Sequence, residues 1–271
     1  MNRIHLFISI LAIACHILVS CSGPVASTKV VAHRGYWDIE GSAQNSIASL
    51  RKAVEAGVYG SEFDVRITSD GVLVINHDGA IGVHEIEITP YDSLKNMLLS
   101  NGETLPTLQQ YLAEGKKNPA IRMICEIKEC KKEENNLRIA NAVAEMVASM
   151  GMKKQVDYIS FNMTICKELL RLVPKAEVAY LSSNVPPSPQ ELKELGFTGL
   201  DYHYNVLAEK PEWIKEAKQL GLTINVWTVN DPGMMKTFIE QGVDFITTDK
   251  PVELAQVIGS VKEMSSINQA N

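Results

Sequence analysis

The sequence predicts an α/β protein folded as a closed TIM (β/α)8 barrel, and three observations carry that reading. The C-terminal half repeats one unit: a helix with proline near its start and glycine at its close, then at once a short strand. No glycine-rich dinucleotide-binding turn follows the first strand, which removes the main motif support for an open doubly wound sheet. Acids and histidines recur where the predicted strands end, the rim at which a barrel builds its site.

In chain order, Val30–Ala32 reads as the first strand. Asn45 or Ser46 caps a helix that runs through Leu50, Val54 and Glu55 to Gly57, a natural terminating residue. Ser61–Ile67 and Val72–Asn76 are two strands joined by a Ser69-Asp70-Gly71 turn. A short irregular insertion, Gly79–Glu103, follows His77-Asp78 and leads into a helix over Leu105–Leu112. Arg122–Lys128 is a strand, Leu137–Met150 a helix and Tyr158–Phe161 a strand. The repeats follow as helix Pro189–Leu195 and strand Gly199–Tyr202, helix Pro211–Leu220 and strand Thr223–Trp227, helix Pro232–Glu240 and strand Val243–Ile246. These runs supply about eight parallel strands with crossover helices, the number a closed barrel takes.

The N-terminus has a different character. Arg3 precedes an apolar segment from Leu6 to Val19, followed by Ser20, Cys21, Ser22 and Gly23, the charge, length and small-residue exit of a signal peptide. Leu18-Val19-Ser20-Cys21 resembles the bacterial lipobox, in which the cysteine is acylated; ordinary cleavage near Ala26 is the alternative. The expected organisation is a lipoprotein signal peptide over 1–20, a linker over 21–28 and the barrel over 29–271. The chain is accordingly expected to be exported and held as a membrane-anchored lipoprotein, periplasmic or at the cell surface. Removing the first 20 of 271 residues leaves 251, close to the roughly 250 typical of this barrel. A formal charge of −6 with no basic block argues against nucleic acid as a partner. Cys125 sits in an apolar run and, with Cys130 and Cys166, forms neither a disulfide framework nor a Cys-x-x-Cys zinc pair.

Chemistry concentrates at the strand ends. His33 follows the first strand and His77 the third. Glu62 and Asp64 lie two apart in a strand and therefore share a face, with Phe63 and Val65 turned toward the helices. Glu126 and Lys128 repeat that spacing; the plain alternative for this pair is a salt bridge inside the barrel. Three carboxylates meeting in one mouth repel one another unless a cation lies among them. An all-oxygen donor set favours one hard divalent ion, Mg2+ or Ca2+. Phe161 and Trp227 fit either an apolar pocket wall or core packing, and His203 either rim packing or substrate contact.

His33-Arg34-Gly35, Glu62-Phe63-Asp64, His77-Asp78, Glu126-Ile127-Lys128, Val226-Trp227-Thr228-Val229-Asn230 and Thr248-Asp249-Lys250-Pro251, in this order, resemble the motif series of the glycerophosphodiester phosphodiesterases. That resemblance spans Val30 to Pro251 and implies metal ligands at Glu62, Asp64 and Glu126, catalytic acid–base histidines at His33 and His77, and phosphate contacts at Arg34 and Lys128. It further implies a small phosphodiester substrate, hydrolysed to glycerol 3-phosphate and an alcohol, with the substrate's own glycerol hydroxyl as first nucleophile. A lysophospholipase D-like activity and a non-catalytic binding lipoprotein are the alternatives. One departure stands out: Ala43-Gln44-Asn45-Ser46 replaces the family's usual Pro-Glu-Asn-Thr, leaving Gln44 neutral where an acid is usual.

Overall fold

The computed structural model describes residues 28–270. The predicted signal peptide, most of the linker and Cys21 lie outside the described residues. In order the elements are β1 (Lys29–Ala32), α1 (Ile47–Glu55), β2 (Gly60–Ile67), β3 (Leu73–Ile75), β4 (Ala80–Ile81), β5 (His84–Glu85), α2 (Leu108–Lys116), β6 (Arg122–Ile127), α3 (Glu133–Ser149) and β7 (Val156–Ser160). They continue as α4 (Met163–Leu172), β8 (Val178–Ser182), α5 (Pro189–Glu194), β9 (Gly199–His203), α6 (Tyr204–Glu209), α7 (Glu212–Gln219), β10 (Thr223–Trp227), α8 (Pro232–Gln241), β11 (Phe245–Thr248) and α9 (Pro251–Ala270).

Eight parallel strands close into a ring in the order β1, β2, β6, β7, β8, β9, β10, β11, and β11 pairs back onto β1 with Ala32 opposite Thr248. The barrel is the predicted fold, but one of its strands is not the one expected. Val72–Asn76 was expected to supply a barrel strand; its core, β3, pairs antiparallel with the upper half of β2 and lies outside the ring. The reason is local. Gly71 takes φ +90° in the turn after β2, so the chain doubles back on itself instead of crossing over a helix. The missing eighth strand is β8, preceded by helix α4, neither of which was anticipated.

Side chains close the starts of several helices, and the helix expected over Leu105–Leu112 begins later, at Leu108, where Thr107 caps it. Ser46 accepts from the Ser49 amide and opens α1, while Asp231 does the same for α8 through the Met234 amide; each such cap contributes about 1 kcal/mol. Ser188 and Glu191 make a reciprocal capping box at α5, with Pro189 in its first turn. The outer faces of the strands pack on the helices in one continuous core that includes Phe63, Val65, Cys125, Ile127, Tyr158 and Ile224, all buried. Burying a side chain of this size contributes roughly 1.5–3 kcal/mol. Cys125, Cys130 and Cys166 are buried free thiols.

Inside the ring, a small apolar plug of Val31, Ile124, Ile159 and Leu181 fills the middle of the barrel. Above it the inward residues change character to acids, histidines and a lysine. The 79–103 insertion is short, as expected, yet ordered: β4 and β5 form a hairpin, and Val74, Ile81, Ile86, Leu94 and Leu105 give it a core of its own. Among the described residues no helix is long and apolar enough to cross a membrane.

Candidate active site

The site begins where β1 ends. The His33 amide donates to the Thr248 carbonyl at 3.0 Å, so barrel closure fixes the backbone at which the imidazole starts. Arg34 and Gly35 then take φ of +54° and +77°, a left-handed turn that is costly for arginine and easy for glycine. The turn aims the Arg34 amide at Glu62 Oε2, 2.7 Å away. A Cβ at Gly35 would lie 2.3 Å from Ser49 Oγ, so the His-Arg-Gly turn and the start of α1 approach too closely for any larger residue.

Glu62, Asp64 and Glu126 converge as their spacing predicted. Each offers one oxygen, and these oxygens lie within 4.8 Å of one another in a fully buried setting. Glu62 Oε1 meets no donor, and Asp64 Oδ1 and Glu126 Oε1 face only the Lys128 ammonium, although buried acceptors are nearly always satisfied. Three buried carboxylates that each offer an oxygen to one point, with a single ammonium beside them, are the donor set of a hard cation such as Mg2+ or Ca2+, so the residues present fit such an ion.

The electrostatics carry the same strain. Burial, followed by the charges of Asp64 and Glu126, pushes the Glu62 carboxyl well above the ordinary carboxylate range. Burial and the Asp64 charge push Glu126 up to about 7, with Lys128 pulling the other way. Burial acts to raise Asp64 as well, but Lys128, His77, Asn45 and Arg34 together hold it below its usual value. Lys128 Nζ lies 2.6 Å from Glu126 Oε1 and 3.3 Å from Asp64 Oδ1, the salt bridge foreseen as the plain alternative for this pair. The salt bridge and the ligand role are compatible, because one ammonium offsets only part of three converging negative charges.

His77 reaches the same mouth by the hairpin route. Arg66 Nε and Nη2 both donate to the His77 carbonyl, at 3.0 and 2.6 Å, pinning the backbone after β3. Its ring Nδ1 lies 2.8 Å from Asp78 Oδ1. Burial, the largest influence, outweighs the charges of Asp64 and Asp78 and lowers the imidazole below its usual value.

His33, Arg34, Glu62, His77, Glu126 and Lys128 line one side of a cavity of about 140 Å³, and Ile159, Phe161, Leu181 and Trp227 line the other. Phe161 and Trp227 meet edge to face at 5.5 Å and form an apolar wall. His203 packs edge-on against Trp227 at 5.1 Å, and its Nδ1 caps α6 by accepting from the Asn205 amide. It therefore supports the wall rather than lining the cavity.

Three contributors were not singled out beforehand. Asn45, in the left-handed region at φ +62°, donates to Asp64 Oδ2 at 2.8 Å and accepts from the Asp64 amide at 3.0 Å. Arg66 holds His77, as described. Asp249 Oδ1 lies 2.8 Å from His33 Nδ1. Asn45 was visible only as a cap candidate and Asp249 only as part of a motif, because their partners lie far away in sequence. Gln44 accepts from Arg34 Nη1 at 2.7 Å, so a neutral amide occupies the place that would otherwise pair the guanidinium with an acid.

Comparison with known proteins points to one family. The sequence pattern of the Glycerophosphoryl diester phosphodiesterase family matches residues 33–253. The chain is 55% identical to a glycerophosphodiester phosphodiesterase of known crystal structure from Parabacteroides distasonis, covering 88% of this chain and 100% of that one with a TM-score of 0.86. An Oleispira antarctica phosphodiesterase solved in complex with the product sn-glycerol-3-phosphate is 27% identical, covering 85% of this chain and 96% of that one at a TM-score of 0.74. A glycerophosphodiester phosphodiesterase from Caldanaerobacter subterraneus is 26% identical over 250 residues, 85% of this chain and 98% of that protein.

Proposed function

The chain belongs to the glycerophosphoryl diester phosphodiesterase family, and we propose that its barrel mouth hydrolyses a glycerophosphodiester to glycerol 3-phosphate and an alcohol with a divalent cation on Glu62, Asp64 and Glu126 and proton transfer through His33 and His77. The observation that carries this reading is the convergence of three buried carboxylates, two of which line one cavity together with both histidines.

Bound at the carboxylates, Mg2+ or Ca2+ supplies positive charge for the phosphoryl oxygens as negative charge builds on them. Arg34 and Lys128, both lining the cavity, add to that field. The bond from phosphorus to the substrate's own glycerol hydroxyl oxygen forms while the bond to the leaving alcohol breaks, and a water oxygen then bonds to phosphorus as that ring bond breaks, leaving glycerol 3-phosphate. One imidazole takes the proton of the attacking hydroxyl and the other returns a proton to the leaving alkoxide, each contributing about 10²–10⁴-fold. The Phe161–Trp227 wall offers the apolar surface on which the non-reacting carbons of such a substrate would pack. The Leu18-Val19-Ser20-Cys21 box supports a further reading, that acyl chains hold the exported enzyme at a membrane surface.

The test is the regiochemistry of cleavage. Purified protein with Mg2+ or Ca2+ is incubated with glycerophosphocholine, glycerophosphoethanolamine and a lysophospholipid, and products are read by phosphorus NMR. Glycerol 3-phosphate from the glycerophosphodiesters, abolished by His33→Ala and by His77→Ala, is the expected result. Release of phosphocholine instead, or turnover indifferent to both substitutions, contradicts the reading.

A further inference from the structure

Closing the barrel brings Asp249, at the end of β11, against His33, at the end of β1, although 216 positions separate them. The aspartate is held from three sides. Its Oδ1 accepts the Trp37 indole N–H at 3.0 Å and faces His33 Nδ1 at 2.8 Å, and its Oδ2 accepts from Asn230 Nδ2 at 2.7 Å. Asn230 is itself fixed, its Oδ1 accepting from the Asp249 amide at 2.9 Å and from Thr248 Oγ1 at 3.0 Å.

This arrangement leaves the imidazole little choice. An indole N–H only donates, and an ionised carboxylate only accepts. Burial acts to raise the Asp249 carboxyl, but His33, Asn230 and Trp37 outweigh it and hold the group at about 2. A ring nitrogen facing such a carboxylate at 2.8 Å must carry the proton. Neutral His33 is then protonated on Nδ1, and its other nitrogen is a bare lone pair. His77 has a looser arrangement, because its partner Asp78 is largely exposed.

We propose that Asp249 is a positioning residue that locks His33 in the Nδ1–H tautomer, so that Nε2 is the proton acceptor of the reaction, with Trp37 and Asn230 holding the carboxylate in place. The proposal rests on the reading that His33 moves a proton during hydrolysis.

The test uses Asp249→Asn, which keeps size and shape, and Asp249→Glu, which keeps the charge. Nitrogen NMR of protein labelled at histidine, with His33 assigned by its loss in His33→Gln, reads the tautomer directly. In the wild type Nδ1 should resonate as N–H and Nε2 as an unprotonated nitrogen. In Asp249→Asn that pattern should mix or invert, while kcat falls about 10²–10⁴-fold and KM stays within about threefold. Asp249→Glu should recover part of kcat. Trp37→Phe, which removes one of the donors holding the carboxylate, should lower kcat by a smaller factor with the fold intact.

An Asp249→Asn enzyme with wild-type kcat, or one that loses kcat while His33 keeps its Nδ1–H signature, overturns the positioning role. An active His33→Ala enzyme overturns the underlying reading of His33 instead, so the two failures are told apart.

Discussion

Replacing Glu126 by glutamine tests whether the three carboxylates are held together against their own repulsion. In the cation-free protein the Glu126 carboxyl sits at about 7 rather than 4.5, first because it is buried and second because of the Asp64 charge. The folded chain therefore binds this proton more tightly than the unfolded chain. Stability from this group is present in full below about pH 4.5 and is lost as pH rises to about 7. At roughly 1.4 kcal/mol per pKa unit, the loss is about 3 kcal/mol. For a domain of this size that corresponds to a fall in Tm of about 6–12 °C. The assay is thermal unfolding by circular dichroism between pH 5 and 8, with chelator present, on wild type and Glu126→Gln. The difference between the two curves reads this carboxylate together with the relief its loss gives the neighbouring Glu62, whose carboxyl the Glu126 charge helps to raise. The wild type should lose stability toward pH 8 by about that amount more than the variant. Adding Mg2+ or Ca2+ should remove most of the difference, because a bound cation favours the ionised form. Parallel pH profiles for the two proteins would refute the electrostatic account.

Three further outcomes follow from the same geometry. Gly35→Ala places a Cβ 2.3 Å from Ser49 Oγ at φ +77°, so chemical denaturation should show a loss of at least about 1–2 kcal/mol, accompanied by a loss of turnover. Asn45→Ala strips the buried Asp64 amide of its acceptor; stability should fall by about 1–3 kcal/mol, and calorimetry should show cation affinity weakened about tenfold. Asp201, pushed by burial to about 7 from 3.8, destabilises the fold as pH rises toward that value, so Asp201→Asn should gain Tm relative to wild type at pH 8 compared with pH 5.

Much of this architecture could be read from residue patterns, and its limits have physical causes. The late helix–glycine–strand repeats were legible because each crossover carries its own proline start and glycine terminator, as in Pro189 with Gly196, Pro211 with Gly221 and Pro232 with Gly242. β3 misled because a short β-branched run has the same pattern whether it pairs parallel within the ring or doubles back as a hairpin. β8, Val178–Ser182, escaped notice because no conspicuous motif stands beside it. Glu62, Asp64 and Glu126 were visible through their two-residue spacing and their places near strand ends. The network around them was not. Asp249 reaches His33 only after the barrel closes, and Asn45 reaches Asp64 only once the turn before α1 folds over β2, so no local spacing encodes either contact. His203 shows the reverse case: a residue with catalytic chemistry at a strand end, used to cap a helix and support Trp227.

The central claim is that the carboxylate cluster is a cation site on which phosphodiester cleavage depends. Its most direct test is the rate of glycerol 3-phosphate release by chelator-stripped protein as Mg2+ or Ca2+ is added back, for wild type and for Asp64→Asn. The account predicts negligible release without a cation, saturable recovery in the wild type, and an activation curve for Asp64→Asn that is absent or shifted at least about tenfold to higher cation concentration. Full activity after stripping, or identical curves for the two proteins, would contradict it.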